Sequence, residues 1–202
     1  MKKLQGYIFY FIYWILFFVA ARMVFLFYHF SLTETLSSSD ILKLFGYGLR
    51  MDASFAGYIC IFPFLLFLIK SIFLKFPVKN ITRIYTFILV PLFSFLIIAD
   101  LGLYTAWGYR MDATPLQYFK TPKEMLTTVS SAPLLPLIII FILLTLIFIF
   151  IYNKYFYPLL DVSRKRVRIG SVFLSIFLLA FLFVPIRGGI QKIPMNFSDV
   201  YF

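Results

Sequence analysis

Five stretches of the chain consist almost entirely of apolar residues and are separated by shorter, more polar segments. Each stretch has about the 20 residues that a helix needs to cross the hydrocarbon of a bilayer. Polar and apolar side chains do not alternate within them, as the strands of a membrane barrel would require. The pattern predicts an all-α integral membrane protein with five transmembrane helices, at about Tyr7–Phe30, Ala53–Leu74, Ile84–Trp107, Pro133–Tyr152 and Ile169–Ile186.

The composition supports a lipid environment and limits the kinds of disulfide, metal site and catalytic site that the chain could form. Of its 202 residues, 62% are hydrophobic and only 13% are charged, whereas soluble proteins carry about 25% charged residues. A soluble fold of this size cannot bury so many large side chains, because its surface is too large for its volume. The single cysteine, Cys60, excludes an internal disulfide, and the single histidine, His29, argues against a metal site. We therefore expect neither metal ligands nor catalytic residues in this chain.

The distribution of basic residues predicts the orientation in the membrane. With the N-terminus inside, the inner segments hold eleven cations and one acid, and the outer segments hold seven cations and six acids. Cytoplasmic loops carry the excess of Lys and Arg, so the N-terminus is predicted inside and the C-terminus outside. The basic run Arg164–Arg168 then contacts anionic lipid rather than nucleic acid. The start resembles a signal peptide, but its apolar stretch continues to Phe30, so we expect the first span to be retained.

Two outer segments carry signals for short interfacial helices. Thr121–Glu124 reads as a capping box, with Pro122 at the first helical position. Ser39 and Asp40 are predicted to cap a second short helix, whose apolar residues follow at helical spacing. Both helices are open to two interpretations, as connectors that shield the membrane helices or as a surface through which lipids enter.

A heptapeptide occurs twice: Gly48–Ser54 (GLRMDAS) returns as Gly108–Thr114 (GYRMDAT), each at the outer end of a predicted span. Its Arg and Asp are two positions apart and do not share a helical face, so each needs its own partner. The two copies could pair with each other as a structural clamp. Alternatively, their arginines could bind a lipid phosphate while their acids accept hydrogen bonds from headgroup hydroxyls or an amine. In that case the candidate substrate-binding residues gather at the outer surface; they are Arg50, Asp52, Arg110, Asp112 and Arg187.

Two charged residues, Arg22 and Asp100, fall inside predicted spans. Charges at this depth are costly and are usually paired or functional. Both lie at a similar depth from the outer ends of their helices. The sequence therefore predicts either a direct Arg22–Asp100 pair or side chains that extend to the membrane surface.

After the fifth span the chain continues as RGGIQKIPMNFSDVYF, at Arg187–Phe202. Together with GYGLRMDASF and LGLYTAWGYRMDATPLQYF, this segment resembles the membrane region of the lipoteichoic-acid-synthase-like phosphoglycerol transferases of the alkaline phosphatase/sulfatase superfamily. The resemblance implies five membrane helices, a linker and a large extracytoplasmic domain with a threonine nucleophile and a site for a divalent metal of the Mn or Mg type. The implied reaction is transfer of phosphoglycerol from an anionic phospholipid through a phospho-threonine intermediate.

The resemblance divides this chain into a transmembrane domain, residues 1–186, and the start of an extracytoplasmic linker, residues 187–202. It implies that catalysis and metal binding belong to a domain beyond this sequence, and that the chain works in a bacterial cytoplasmic (inner) membrane with phospholipid as its partner. Two alternatives remain: the membrane domain of a phosphoethanolamine transferase, or a complete small transporter or assembly protein. The spans contain few polar residues, which argues against transport.

Overall fold

The chain is helical throughout the part that the computed structural model describes, which comprises residues 2–34, 36–73, 76–108, 110, 133–160 and 169–189. These residues include six α-helices: α1 (Lys2–Tyr28), α2 (Phe30–Thr33), α3 (Ser38–Ile72), α4 (Val78–Trp107), α5 (Leu134–Ile151) and α6 (Ile169–Ile186). A π-helical turn, Tyr152–Phe156, and a 3-10 turn, Pro158–Leu160, come directly after α5.

Helices α1, α3, α4 and α5 are long and apolar enough to cross a membrane, and α6 is a shorter apolar helix. Their outward side chains are apolar as well; Leu135 is 72% exposed and Phe173 69%. Large exposed apolar surfaces are unfavourable in water and favourable against lipid tails. The prediction of an all-α, multi-pass membrane protein is confirmed.

The helix ends differ from the sequence prediction mainly at α3. The Oγ atom of Ser37 accepts a hydrogen bond from the Asp40 amide at 3.3 Å, so Ser37 is the N-cap and α3 begins at Ser38. The segment that we predicted as a separate helix capped by Ser39 and Asp40 is instead the first part of a helix that runs unbroken to Ile72. The predicted helix after Thr121 lies outside the described residues.

The chain forms two compact units, of which the first comprises residues 1–84 and 152–202. Within it α1 and α3 are antiparallel: the Tyr7 ring lies 4.4 Å from that of Phe67, and the Phe18 ring lies 5.8 Å from that of Phe55. Helix α6 is also antiparallel to α3. The hydroxyls of Ser71 and Ser175 are 3.1 Å apart, and Ser54 contacts the last residue of α6. Helix α3 therefore has a neighbour on two of its sides.

Aromatic side chains fill the first unit near the N-terminal half of α1. Seven of the described aromatic side chains here are less than 2% exposed: Tyr7, Tyr10, Tyr13, Trp14, Phe17, Phe67 and Tyr152. The turn after α5 returns to this cluster, where Tyr152 contacts Tyr10 and Tyr13 at ring distances of 6.1 and 5.7 Å. A Cβ atom on Gly6 would overlap the carbonyl oxygen of Leu159, so glycine permits this close approach of turn and helix.

The second unit, residues 85–151, contains α5 and most of α4. The two helices approach closely at Gly102, where an added Cβ would lie 3.2 Å from Leu137. Val90 and Leu101 are fully buried on α4. Pro91 lies inside α4, which continues past it to Trp107. A proline in a membrane helix is tolerated because neighbouring groups satisfy the backbone carbonyl that it frees.

Candidate functional site

A buried ion pair joins α1 to α3. The Nη2 atom of Arg22 lies 2.8 Å from the Oδ1 atom of Asp52, and the two side chains are only 16% and 7% exposed. Gly48 lies one helical turn before Asp52, and a Cβ there would overlap the Arg22 guanidinium. The Phe45 ring packs 5.7 Å from the guanidinium carbon. Glycine at position 48 therefore provides the space in which the guanidinium reaches the carboxylate.

This pair uses only part of its hydrogen-bonding capacity. The Nη1 atom of Arg22 and the Oδ2 atom of Asp52 are both buried and have no hydrogen-bond partner among the described residues. A buried polar group without a partner carries the full cost of losing its water. The pair therefore has one unused donor and one unused acceptor, on adjacent side chains.

The end of α6 is attached to the same part of α3. Arg50 donates from Nε and Nη2 to the carbonyl oxygen of Gly188, at 3.2 and 2.9 Å. Ser54 donates from its hydroxyl to the carbonyl oxygen of Ile186 at 2.9 Å. Gly188 has a φ of 81°, which favours glycine, and its amide donates to the Pro185 carbonyl oxygen at 2.9 Å. We call residues Arg187–Gly189 the exit turn, since the chain leaves α6 there.

Helical geometry explains how one heptapeptide serves two neighbours. Arg50 and Ser54 are four residues apart and share a face of α3, which meets the end of α6. Asp52 lies halfway between them in sequence and points to the other side, where it meets α1. The sequence argument that the Arg and Asp of one copy need separate partners is confirmed for this copy.

The second copy of the heptapeptide is placed differently. Gly108 ends α4 with a φ of 75°, and its amide donates to the Tyr104 carbonyl oxygen at 2.9 Å. Two residues after this glycine, the Nε atom of Arg110 lies 2.7 Å from the Oδ2 atom of Asp100, and the two side chains form an ion pair within the second unit. The first copy thus lies inside a helix, whereas the second begins at a helix end.

These contacts identify the partners of the charged residues that the sequence analysis singled out. Of the two outcomes predicted for Arg22 and Asp100, the direct pair between them is not the one formed: Arg22 pairs with Asp52 within the first unit, and Asp100 pairs with Arg110 within the second. The reason is that Asp52 lies on the helix packed against α1. Arg50 and Asp52 lie beside one another on α3, and Arg50 reaches the residue after Arg187. Arg110 belongs to the second unit, and Asp112 lies outside the described residues.

Sequence reasoning did not assign Arg22, Gly48 or Ser54 to the site. An available signal was the placement of Gly48 one turn before Asp52, since glycine within a helix often marks a close approach by a neighbour. Among the described residues no cluster of three or more His, Cys, Asp or Glu side chains is suited to a metal ion.

Comparison with known proteins identifies no protein similar to this chain. No protein-family model matches the chain, and neither does any curated protein or solved structure.

Proposed function

We propose that this chain is the membrane domain of a sulfatase-superfamily phosphoglycerol transferase of the bacterial cell envelope. In this role it anchors the enzyme in the cytoplasmic membrane, with the N-terminus inside, and presents lipid headgroups to a catalytic domain outside the cytoplasm. The catalytic domain supplies the nucleophile and a divalent metal of the Mn or Mg type.

The observation that carries the proposal is the half-satisfied Arg22–Asp52 pair, level with the exit turn on α3. A phospholipid headgroup with hydroxyls offers what this pair lacks: phosphate oxygens accept from an arginine, and a hydroxyl donates to a carboxylate. Charged groups within membrane helices are costly, and functional use is a common reason for their presence.

The fixed exit turn supports the second part of the proposal. Arg50 and Ser54 hold the end of α6 against α3 through three hydrogen bonds. The chain therefore leaves α6 at a defined place on α3, close to the ion pair. A headgroup bound there would lie at the membrane surface that the proposed catalytic domain faces.

Headgroup chemistry provides the direct test. The purified chain in detergent should be stabilised by phosphatidylglycerol, which has phosphate oxygens and hydroxyls, and not by phosphatidylcholine, which has no hydrogen-bond donor. Substitution Asp52→Asn keeps the volume and removes the charge, and should weaken the response to phosphatidylglycerol. Lys43→Gln is the control, since Lys43 forms only an exposed contact with Asp40 at 3.7 Å. Equal responses of both variants would contradict a headgroup site at this pair.

Topology provides the second test. A reporter that is active only outside the cytoplasm should work when fused after Phe202 and fail when fused after Pro77. The reading frame beyond Phe202 should encode a domain with clustered Asp, His and Thr residues. A reporter that works after Pro77 would contradict the predicted orientation. It would therefore also contradict the presentation of headgroups to an outer domain.

A phosphoethanolamine transferase is the second candidate. It is favoured by the same unused acceptor on Asp52, because an ammonium group donates to a carboxylate as well as a hydroxyl does. Stabilisation by phosphatidylethanolamine in preference to phosphatidylglycerol would select it.

A further inference from the structure

The Arg22–Asp52 pair is closed to its surroundings although two of its polar atoms have no partner. The Nη1 atom of Arg22 and the Oδ2 atom of Asp52 are buried, and neither has a hydrogen-bond partner among the described residues. The side chains as wholes are only 16% and 7% exposed. A ligand can therefore reach these two atoms only when a neighbouring side chain moves.

Toward the C-terminal end of α3, packed rings close the pair. Phe55 follows Asp52 by three residues, and its ring lies 5.8 Å from the Phe18 ring on α1. Further along, the Tyr7 and Phe67 rings lie 4.4 Å apart. These contacts join α1 to α3, so access from this end would require the two helices to separate.

At the other end of the pair, the nearest ring is that of Phe45. Phe45, Gly48 and Asp52 follow one another at helical spacing and share one face of α3. The Arg22 guanidinium lies against Gly48, and the centre of the Phe45 ring is 5.7 Å from the guanidinium carbon. This distance is within the range of about 6 Å for cation–π contacts. A ligand that approaches along this face from the N-terminal end of α3 meets Phe45 first.

The part of α3 around Phe45 leaves room for its ring to move. Among residues 38–50 of α3, only Gly48 is buried, and Phe45 itself is partly exposed. Leu42, one turn earlier, is 73% exposed, and a Cβ added at Gly46 would meet nothing within 4 Å. Side chains that are not enclosed change rotamer on a fast timescale and without breaking the helix. Phe45 can therefore move while α1 and α3 stay packed.

We propose that the Phe45 ring is a lid on the Arg22–Asp52 pair. In the closed position the ring covers the guanidinium; rotation about its Cα–Cβ bond exposes Arg22 Nη1 and Asp52 Oδ2 to a lipid headgroup. The cation–π contact favours the closed position, and a phosphate that accepts charge-assisted hydrogen bonds from Arg22 favours the open one. The lid rests on the proposed function for the identity of its ligand and adds the step by which that ligand enters.

Phenylglyoxal, which reacts with accessible guanidinium groups, tests the lid without any lipid. The purified 202-residue chain in detergent micelles is treated, and the adducts at Arg22 and Arg110 are followed by peptide mass spectrometry. Arg110 is the internal reference, because its side chain is 52% exposed. In wild type, Arg22 should react more slowly than Arg110. In Phe45→Ala, Arg22 should react at least about tenfold faster than in wild type, since a minor open conformation is typically populated to about 0.1–10%.

Phe27→Ala is the matched control for Phe45→Ala. It removes the same type of side chain, 70% exposed and five residues after Arg22, on a different side of α1. Arg22 should react in this variant as it does in wild type. If Phe45→Ala does not fold, as judged by the fluorescence of the buried Trp14, Phe45→Leu replaces it. Leucine retains apolar volume but lacks the ring, so the reaction at Arg22 should again be faster.

Two results would overturn the lid. The first is a reaction at Arg22 of wild type that is as fast as that at Arg110. The second is a reaction at Arg22 of the folded Phe45 variant within about twofold of wild type, which is less than the release of a minor state produces.

Lipid protection distinguishes the lid from the headgroup site itself. Phosphatidylglycerol should protect Arg22 of Phe45→Ala from phenylglyoxal, and phosphatidylcholine should not. Fast reaction without protection would support the lid and contradict the headgroup site. Protection in a variant whose reaction rate without lipid equals that of wild type would support the headgroup site and overturn the lid.

Discussion

Removal of Arg22 should destabilise the first unit far more than removal of an exposed cation. The substitution Arg22→Met leaves the Asp52 carboxylate, whose side chain is 7% exposed, without its counter-charge. At an effective dielectric constant of about 20, two unit charges about 3 Å apart attract each other by about 5–6 kcal/mol. The desolvation of both groups offsets most of this attraction. When Arg22 is removed, the desolvation cost of the Asp52 carboxylate remains and no attraction offsets it. We expect the free energy of unfolding to fall by about 3–5 kcal/mol.

The double variant Arg22→Met/Asp52→Leu distinguishes the net contribution of the ion pair from the cost of leaving one buried charge without its partner. It removes both charges and retains apolar volume, so its free energy of unfolding should lie within about 1 kcal/mol of wild type, or above it. Lys43→Met is the matched control, because Lys43 lies 3.7 Å from Asp40 with side chains 65% and 50% exposed. Exposed pairs contribute about 0–1 kcal/mol, so this change should be small.

Unfolding can be followed in mixed micelles by the fluorescence of Trp14, which is fully buried in the first unit. The reasoning is refuted if Arg22→Met and Lys43→Met lose the same free energy. It is also refuted if the double variant loses as much as the sum of its two single variants, since the charges would then act independently.

Three further outcomes are expected. Gly6→Ala should destabilise the protein by about 1–3 kcal/mol, because the added Cβ meets the backbone of Leu159. Gly46→Ala is the matched control: its Cβ meets nothing within 4 Å, so it should stabilise the protein by about 0.5–1 kcal/mol through helix propensity. Denaturant titration of both variants measures the two free energies of unfolding. Arg50→Ala should speed hydrogen exchange at the Gly188 amide, since it removes two hydrogen bonds from that residue's carbonyl oxygen, and unchanged exchange would show that the exit turn holds itself. The isolated 202-residue chain should release no diacylglycerol from phosphatidylglycerol with or without Mn²⁺, and metal-dependent turnover would contradict the assignment of catalysis to another domain.

The helix positions could be predicted because the bilayer sets the length of an apolar run. The fourth predicted span, Pro133–Tyr152, differs from α5 (Leu134–Ile151) by one residue at each end. The start of α3 was missed because the apolar pattern indicates only the part of the helix that crosses the membrane, which was predicted from Ala53. Ser37, rather than Ser39, accepts the Asp40 amide, so the helix begins before the membrane-spanning part. Capping depends on local backbone geometry that a sequence pattern does not fix.

The partners of the charged residues could not be predicted in the same way. The predicted depth in the membrane was similar for Arg22 and Asp100, but depth does not determine which residue becomes the partner, and Arg22 meets Asp52 on α3. The repeated heptapeptide was also misleading as a symmetric feature. Gly48 gives room to a guanidinium within a helix, while Gly108 adopts a φ of 75° at a helix end. Identical residue types serve different physical needs in the two copies.

The proposed role of this chain is to present a lipid headgroup to a phosphoglycerol-transferring domain. Its most direct test is headgroup release by the protein that the complete reading frame encodes, reconstituted in vesicles with labelled phosphatidylglycerol and Mn²⁺. The wild-type protein should release diacylglycerol, Asp52→Asn should slow the release, and Lys43→Gln should leave it unchanged. A folded, metal-loaded protein that releases no diacylglycerol, or that releases it at the same rate when Asp52 is replaced, would contradict the account.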